Sequence, residues 1–160
     1  RVDAAAECAH AMLEGCGLAK LDLPADEAGV LERGLDSLDA RMQAHFDRAR
    51  ALVEYFAANE MVRNVRYPGL SSHHDHAIAT GILEHGFGPA VEFDLIERSA
   101  GDLFEALPGE FRTSPAGGAA TRLSAPRGKQ GSTIRLFAGT DDPLTVAATL
   151  DNALRKLATL

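Results

Sequence analysis

Hydrophobic and polar positions alternate most clearly near the end of the chain, in Ser132-Thr133-Ile134-Arg135-Leu136-Phe137-Ala138. Ile134, Leu136 and Ala138 share one parity, and Thr133, Arg135 and Phe137 share the other. Successive side chains of a strand point to opposite faces, so this pattern predicts a half-buried strand over 133–138. Pro89 to Ile96 alternates in the same way, with Val91, Phe93 and Leu95 set against Glu92 and Asp94. Shorter strands are predicted at Val62–Arg66, stopped by Tyr67-Pro68-Gly69, and at 120–125.

Helical spacing dominates the first half. Leu31, Leu35, Leu38, Met42, His45, Phe46, Ala49, Leu52, Val53 and Phe56 recur at three- and four-residue steps. They predict one continuous amphipathic helix opened by Pro24, with Asp26 and Glu27 in its first turn, running to about Asn59. A helix of that length bridges two domains or spans one whole face. Shorter helices are expected at 3–14, ended by Gly15-Cys16-Gly17, at 76–85, ended by Gly86, and at 99–107. A last helix is capped by Asp141 or Asp142, with Pro143 in its first turn and Val146, Leu150, Leu154 and Leu157 as its apolar face. Residues 108–118 read as a loop, with Gly117-Gly118 a turn where backbone passes close to something. The order predicts an α+β fold: a small, mostly antiparallel sheet of about four strands with helices on one face, preceded by a long linking helix. Residues 1–23 are assigned to the end of a preceding domain or linker, and 24–160 to one domain.

Composition narrows the function classes. The chain has 160 residues, 46% hydrophobic and 24% charged, with a net charge of −7. The acidic balance argues against nucleic acid as the main partner. No apolar run approaches a membrane span, and nothing resembles a signal peptide. Cys8 and Cys16 lack metal-like spacing and are read as reduced thiols, consistent with a cytoplasmic protein. The first residue is Arg rather than Met, which points to a processed, trimmed or partial chain.

Two motifs attract attention and are set aside. Ser72-His73-His74-Asp75-His76 offers metal-ligating types, but zinc needs three or four converging ligands, and neighbouring histidines in an extended loop are expected to diverge. Gly128-Lys129-Gln130 lacks the Ser or Thr and the following helix of a phosphate loop. No metal site and no nucleophilic triad are assigned. Arg135 remains: a guanidinium on a backbone anchored by buried neighbours suits bidentate carboxylate recognition. On spacing alone, an arginine at a solvated sheet edge is the competing reading.

Five segments in order resemble the C-terminal half of the trans-sulfuration family of pyridoxal-phosphate enzymes, which includes cystathionine synthases and lyases, methionine γ-lyase and homoserine sulfhydrylases. Leu31-Glu32-Arg33-Gly34-Leu35-Asp36-Ser37-Leu38, then Arg41-Met42 and His45, resembles "RGL.TL..RM..H". Val65-Arg66-Tyr67-Pro68-Gly69-Leu70, then His76 and Ala79, is similar to "V.YPGL…H..A". Phe87-Gly88 and Val91-Glu92-Phe93-Asp94-Leu95 resemble "G.G…SF.L". Ser114 with Gly117-Gly118 looks like a divergent "SLGG", one residue longer, and Ile134-Arg135-Leu136 through Gly139 and Asp141-Asp142 is similar to "IRLSVGIED". Phe137 stands at that pattern's serine and Thr140 at its isoleucine.

The resemblance implies that Arg135 binds the α-carboxylate of an amino-acid substrate and that Ser114 helps bind it. It implies a lyase or transferase of cysteine and methionine metabolism, using pyridoxal 5'-phosphate and assembled as a homo-oligomer. The family's Schiff-base lysine lies in Ser-x-Thr-Lys, and none of the three lysines, Lys20, Lys129 and Lys156, has that context. The chain is therefore expected to be inactive alone, with its cofactor held by a separate pyridoxal-phosphate-binding domain or subunit. Two other readings stand beside this one. One is a naturally separate non-catalytic or regulatory subunit that completes a partner enzyme. The other is a degenerate structural remnant.

Overall fold

The computed structural model describes residues 11, 24–112, 118–126, 128 and 130–159. The helix expected at 3–14 falls almost wholly outside them, as does the segment 1–23 assigned to the end of a preceding domain or linker. Contacts divide the chain into two compact units, Arg1–Leu38 and Asp39–Leu160.

In the first unit, α1 runs Ala25–Asp36, with Pro24 at its N-cap and Asp26 and Glu27 in its first turn. Val30, Leu31 and Leu35 on this helix are exposed. The second unit opens with α2, Leu38–Ala57 as a helical span, whose buried face is His45, Ala49, Leu52, Val53 and Phe56. The single helix expected over 24–59 is thus two helices, broken at Ser37. The Ser37 hydroxyl donates back to the carbonyls of Arg33 (3.2 Å) and Gly34 (3.3 Å). A serine bonding back into the helix, beside a glycine with poor helix propensity, is a recognised place for such a break. Periodicity alone runs through it.

The sheet is formed by β1 (Val62–Arg66), β2 (Ala90–Leu95), β3 (Arg122–Ser124) and β4 (Thr133–Phe137). Their spatial order is β1-β2-β4-β3, and every neighbouring pair is antiparallel. Arg135 therefore sits on an interior strand rather than at a sheet edge. The register of β1 on β2 shifts between Arg63 and Arg66, around Asn64, whose φ is 51°. Asn tolerates this left-handed conformation, and a bulge of this kind bends its strand.

Val91, Phe93, Leu95, Ile134 and Leu136 are almost fully buried, and helices supply the rest of the core. The Phe56 ring stacks on Phe93 with centroids 4.1 Å apart, seating α2 on this face. Short helices α3 (His76–Ile82) and α4 (Ala100–Ala106) follow β1 and β2. Helix α3 ends at Leu83, short of the expected Gly86. Ser99 and Asp102 form a reciprocal capping box on α4, which satisfies two otherwise unpaired N–H groups. The final helix, α5 (Pro143–Ala158), has Asp142 accepting from the Thr145 N–H and buries Val146, Leu150, Leu154 and Leu157, as the spacing predicts.

The β4–α5 turn is tied down from several sides. His45 Nδ1–H donates to the Ala138 carbonyl at 2.8 Å, and Arg48 Nε donates to the Asp141 carbonyl at 3.0 Å. Gly139 N–H donates to Thr121 Oγ1 at 3.0 Å. Close backbone approach occurs here; at Gly118 an added Cβ would meet nothing within 4 Å, and Gly117, the other glycine expected to make such an approach, lies outside the described residues. At Gly139 it would meet the backbone of Ala119, Ala120 and Thr121.

Candidate functional site: the open face of the sheet

The parity that buries Ile134 and Leu136 sends Arg135 to the opposite face, together with Thr133 and Phe137 of β4 and Glu92 and Asp94 of β2. Register then sets which of these meet. Arg66 lies opposite Glu92, Glu92 opposite Arg135, and Arg135 opposite Ser124, forming one row across all four strands. Directly opposed side chains on one face are close enough to pair.

They do pair. Arg135 Nε donates to Glu92 Oε1 at 2.7 Å, and Nη2 donates to the same oxygen. Arg66 meets Asp94 with two parallel bonds, Nη1 to Oδ2 at 3.1 Å and Nη2 to Oδ1 at 2.9 Å. The third leg of Arg66, Nε to Glu92 Oε2, is 3.4 Å. Asp94 also accepts from Thr133 Oγ1 at 2.8 Å and from Asn64 Nδ2 at 3.0 Å. The Arg135 side chain is 43% exposed, whereas Asp94 is 14% exposed. Of the two paired arginines Arg135 is more open than Arg66, and of the two carboxylates Asp94 is more enclosed than Glu92.

The hydrogen bonds from Arg66, seconded by those of Asn64 and Thr133, hold the Asp94 carboxyl far below the usual carboxylate range despite its burial. Its pKa is lower folded than unfolded. The stability it contributes is therefore present above about pH 4 and is lost as pH falls below that value. Asp94→Asn is expected to flatten the acid limb of a plot of urea midpoint against pH. An acid limb as steep in the variant as in the parent would show that Asp94 is not its source.

A hollow of about 390 Å³ opens on this face, lined by Arg66, Glu92, Arg135 and Phe137 with Pro68, His73, His74 and Ala90. The sequence does not place the histidines here. Residues 71–75 form turns rather than an extended loop, and the His73 and His74 rings stack with centroids 4.6 Å apart instead of diverging. The turn folds the chain back, and stacking follows. Both rings already face Asp75: its N–H donates to His73 Nδ1 at 3.2 Å, and its carboxylate lies 2.8 Å from His74 Nε2. His76, further along, bonds through Nδ1 to the Pro68 carbonyl at 2.8 Å and braces the rim.

Of the two residues expected in the site, Arg135 is on this face, and Ser114 lies outside the described residues. Arg66, Glu92 and Asp94 join Arg135 on this face, and local spacing does not single them out. Their parity is visible in the pattern, but their pairing with Arg135 depends on a register between distant strands.

The chain matches the family described as Cys/Met metabolism PLP-dependent enzymes over residues 15–142. It is 29% identical over 147 residues to cystathionine gamma-lyase of Bos taurus, spanning 79% of this chain and 35% of that protein. A homocysteine synthase of Schizosaccharomyces pombe is 39% identical over 64 residues, 40% of this chain and 15% of that protein. Among solved structures, apo CalE6, a methionine gamma lyase from Micromonospora echinospora, superposes with a TM-score of 0.68 at 32% identity, covering 76% of this chain and 35% of that one. Cystathionine gamma synthase from Xanthomonas oryzae pv. oryzae, in complex with aminoacrylate and cysteine, gives 0.69 at 27% identity, covering 80% and 38%. The chain spans only 15% and 19% of the length of two of its curated relatives. The family match takes in all four strands of the sheet, and the superposition gives the same fold: the chain belongs to the Cys/Met metabolism family of pyridoxal-phosphate-dependent enzymes.

Proposed function

We propose that this chain is the substrate-facing C-terminal domain of a trans-sulfuration-type lyase or transferase, in which Arg135 binds the substrate α-carboxylate. The observation that carries this reading is the state of the guanidinium itself. Its strand is fixed by the fully buried Ile134 and Leu136, its side chain opens into the hollow, and its Nε–Nη2 side already holds a carboxylate, that of Glu92. A group that receives one carboxylate in this geometry is formed to receive another. Holding the carboxylate fixes the orientation of the substrate's Cα, which is catalysis by positioning. Ser114 is proposed as a second contact to the same substrate.

The family's cofactor is pyridoxal phosphate. Its holder must supply a lysine amine, a phosphate cradle and a carboxylate for the ring nitrogen. Among the described residues the sole lysine is Lys156, on α5, where it lines a separate hollow with Arg98, Asp102 and Glu105. Lys20 and Lys129 lie outside the described residues. The described residues do not fit as the holder, so we assign the cofactor to polypeptide beyond them, and this chain to the substrate side. The same reading carries a cytoplasmic, homo-oligomeric enzyme; no described helix is long and apolar enough to cross a membrane.

Arg135→Ala, in the full-length protein, is expected to raise the KM for the amino-acid substrate by about 100-fold. Arg135→Lys should recover only part of this, because an ammonium cannot reproduce the planar fork. An unchanged KM in Arg135→Ala would end the carboxylate assignment.

A further inference from the structure

Arg135 is not waiting empty. Its side-on edge, Nε and Nη2, is taken by a single oxygen of Glu92. A substrate carboxylate seeking that edge meets a resident anion, and two carboxylates on one guanidinium edge repel. Within the ion-paired cluster Arg66, Arg135, Glu92 and Asp94 balance one another, so neither of these guanidinium groups stands without a resident anion.

Glu92 has somewhere to go. Its other oxygen, Oε2, already lies 3.4 Å from Arg66 Nε, a long bond with room to shorten. Arg66 is anchored from its far side by the two-bond pair with Asp94, and Asp94 by Thr133 and Asn64. That anchoring presents the Nε edge of Arg66 to Glu92 as a fixed second berth. The side chain of Glu92 is 28% exposed, so it keeps freedom to turn.

We propose that Glu92 is a displaceable internal carboxylate that occupies Arg135 at rest, and that substrate binds by driving Glu92 across to Arg66. This rests on the assignment of Arg135 to the substrate carboxylate and makes Glu92 a determinant of affinity at that site. The exchange swaps one carboxylate for another on Arg135, leaves Arg66 holding both Asp94 and Glu92, and needs no proton or covalent step. Its cost falls on binding: affinity is the difference between the incoming and the resident carboxylate.

The test is calorimetric titration of the full-length, cofactor-loaded protein with L-norvaline, an amino acid with an unreactive side chain. Glu92→Gln and Glu92→Ser are expected to bind it roughly three- to tenfold more tightly, the scale of a partly exposed ion pair. The gain should vanish when either change is combined with Arg135→Ala. Binding that is unchanged or weaker in both variants overturns the proposal, weaker binding meaning that Glu92 serves the substrate ammonium. A gain that survives loss of Arg135 overturns it as well. The Arg135→Ala measurement of KM is separate: a raised KM there, with no gain from Glu92 variants, removes the displaceable carboxylate and leaves the carboxylate site standing.

Discussion

Phe93→Ala is expected to cost the domain about 3–5 kcal/mol, the range for deleting a buried aromatic from a core that cannot collapse to fill the space. Phe93 is fully buried on β2, an interior strand, and its ring is the surface on which Phe56 stacks. The substitution therefore removes packing within the sheet and the seat of α2 together. For a domain of this size the melting temperature should fall by roughly 10 °C. Glu92 and Asp94 flank Phe93 in sequence and point the other way, so the charged row should lose definition with the core. Phe137→Ala offers the contrast. That ring lines the open hollow, and its removal should cost about 1 kcal/mol or less. Equal losses for the two variants, read from urea midpoints, would show that Phe93 is not the centre of the core.

Gly139→Ala should be nearly as damaging for a different reason. The added methyl would lie against the Ala119 carbonyl oxygen, the Ala120 carbonyl carbon and the Thr121 nitrogen, the last at 2.5 Å. All three are backbone atoms, so no rotamer change relieves the contact. Moving them breaks the bond from Gly139 N–H to Thr121 Oγ1 and that from Thr140 N–H to the Ala119 carbonyl at 2.6 Å. A loss of about 3 kcal/mol is expected, at the upper end for overpacking. Gly118→Ala, a short way along the same approach, meets nothing and should be neutral within about 1 kcal/mol. A tolerated Gly139→Ala would mean that the turn is held less closely than these distances imply.

Local physics made much of this fold legible. The alternation in β2 and β4 was readable because one face is buried and the other is polar, and α5 because Asp142, Pro143 and four apolar positions agree. The break at Ser37 was not readable, since hydrophobic spacing continues past a side chain that bonds back into its own helix. Of the Gly117-Gly118 pair expected to make a close approach, Gly117 lies outside the described residues and Gly118 has open space where Gly139 meets backbone, because glycines advertise freedom without saying what comes near. In the candidate site, the orientation of Arg135 is legible from its strand, and the role proposed for it from resemblance. Its pairing with Glu92, and the row from Arg66 to Ser124, depend on which strands lie side by side and in which register. Local spacing does not encode that.

The irregularity at Asn64 has a consequence for solubility. β1 and β3 are the outer strands, and unpaired outer strands are templates for sheet-to-sheet aggregation. β1 is bent by the shift around Asn64, whose amide is turned onto Asp94 at 3.0 Å, while β3 is only three residues long. Neither offers a long flat ribbon to another molecule. The residue that crooks the outer strand thus helps to orient the site's most enclosed carboxylate and also guards the chain against growing into a fibril.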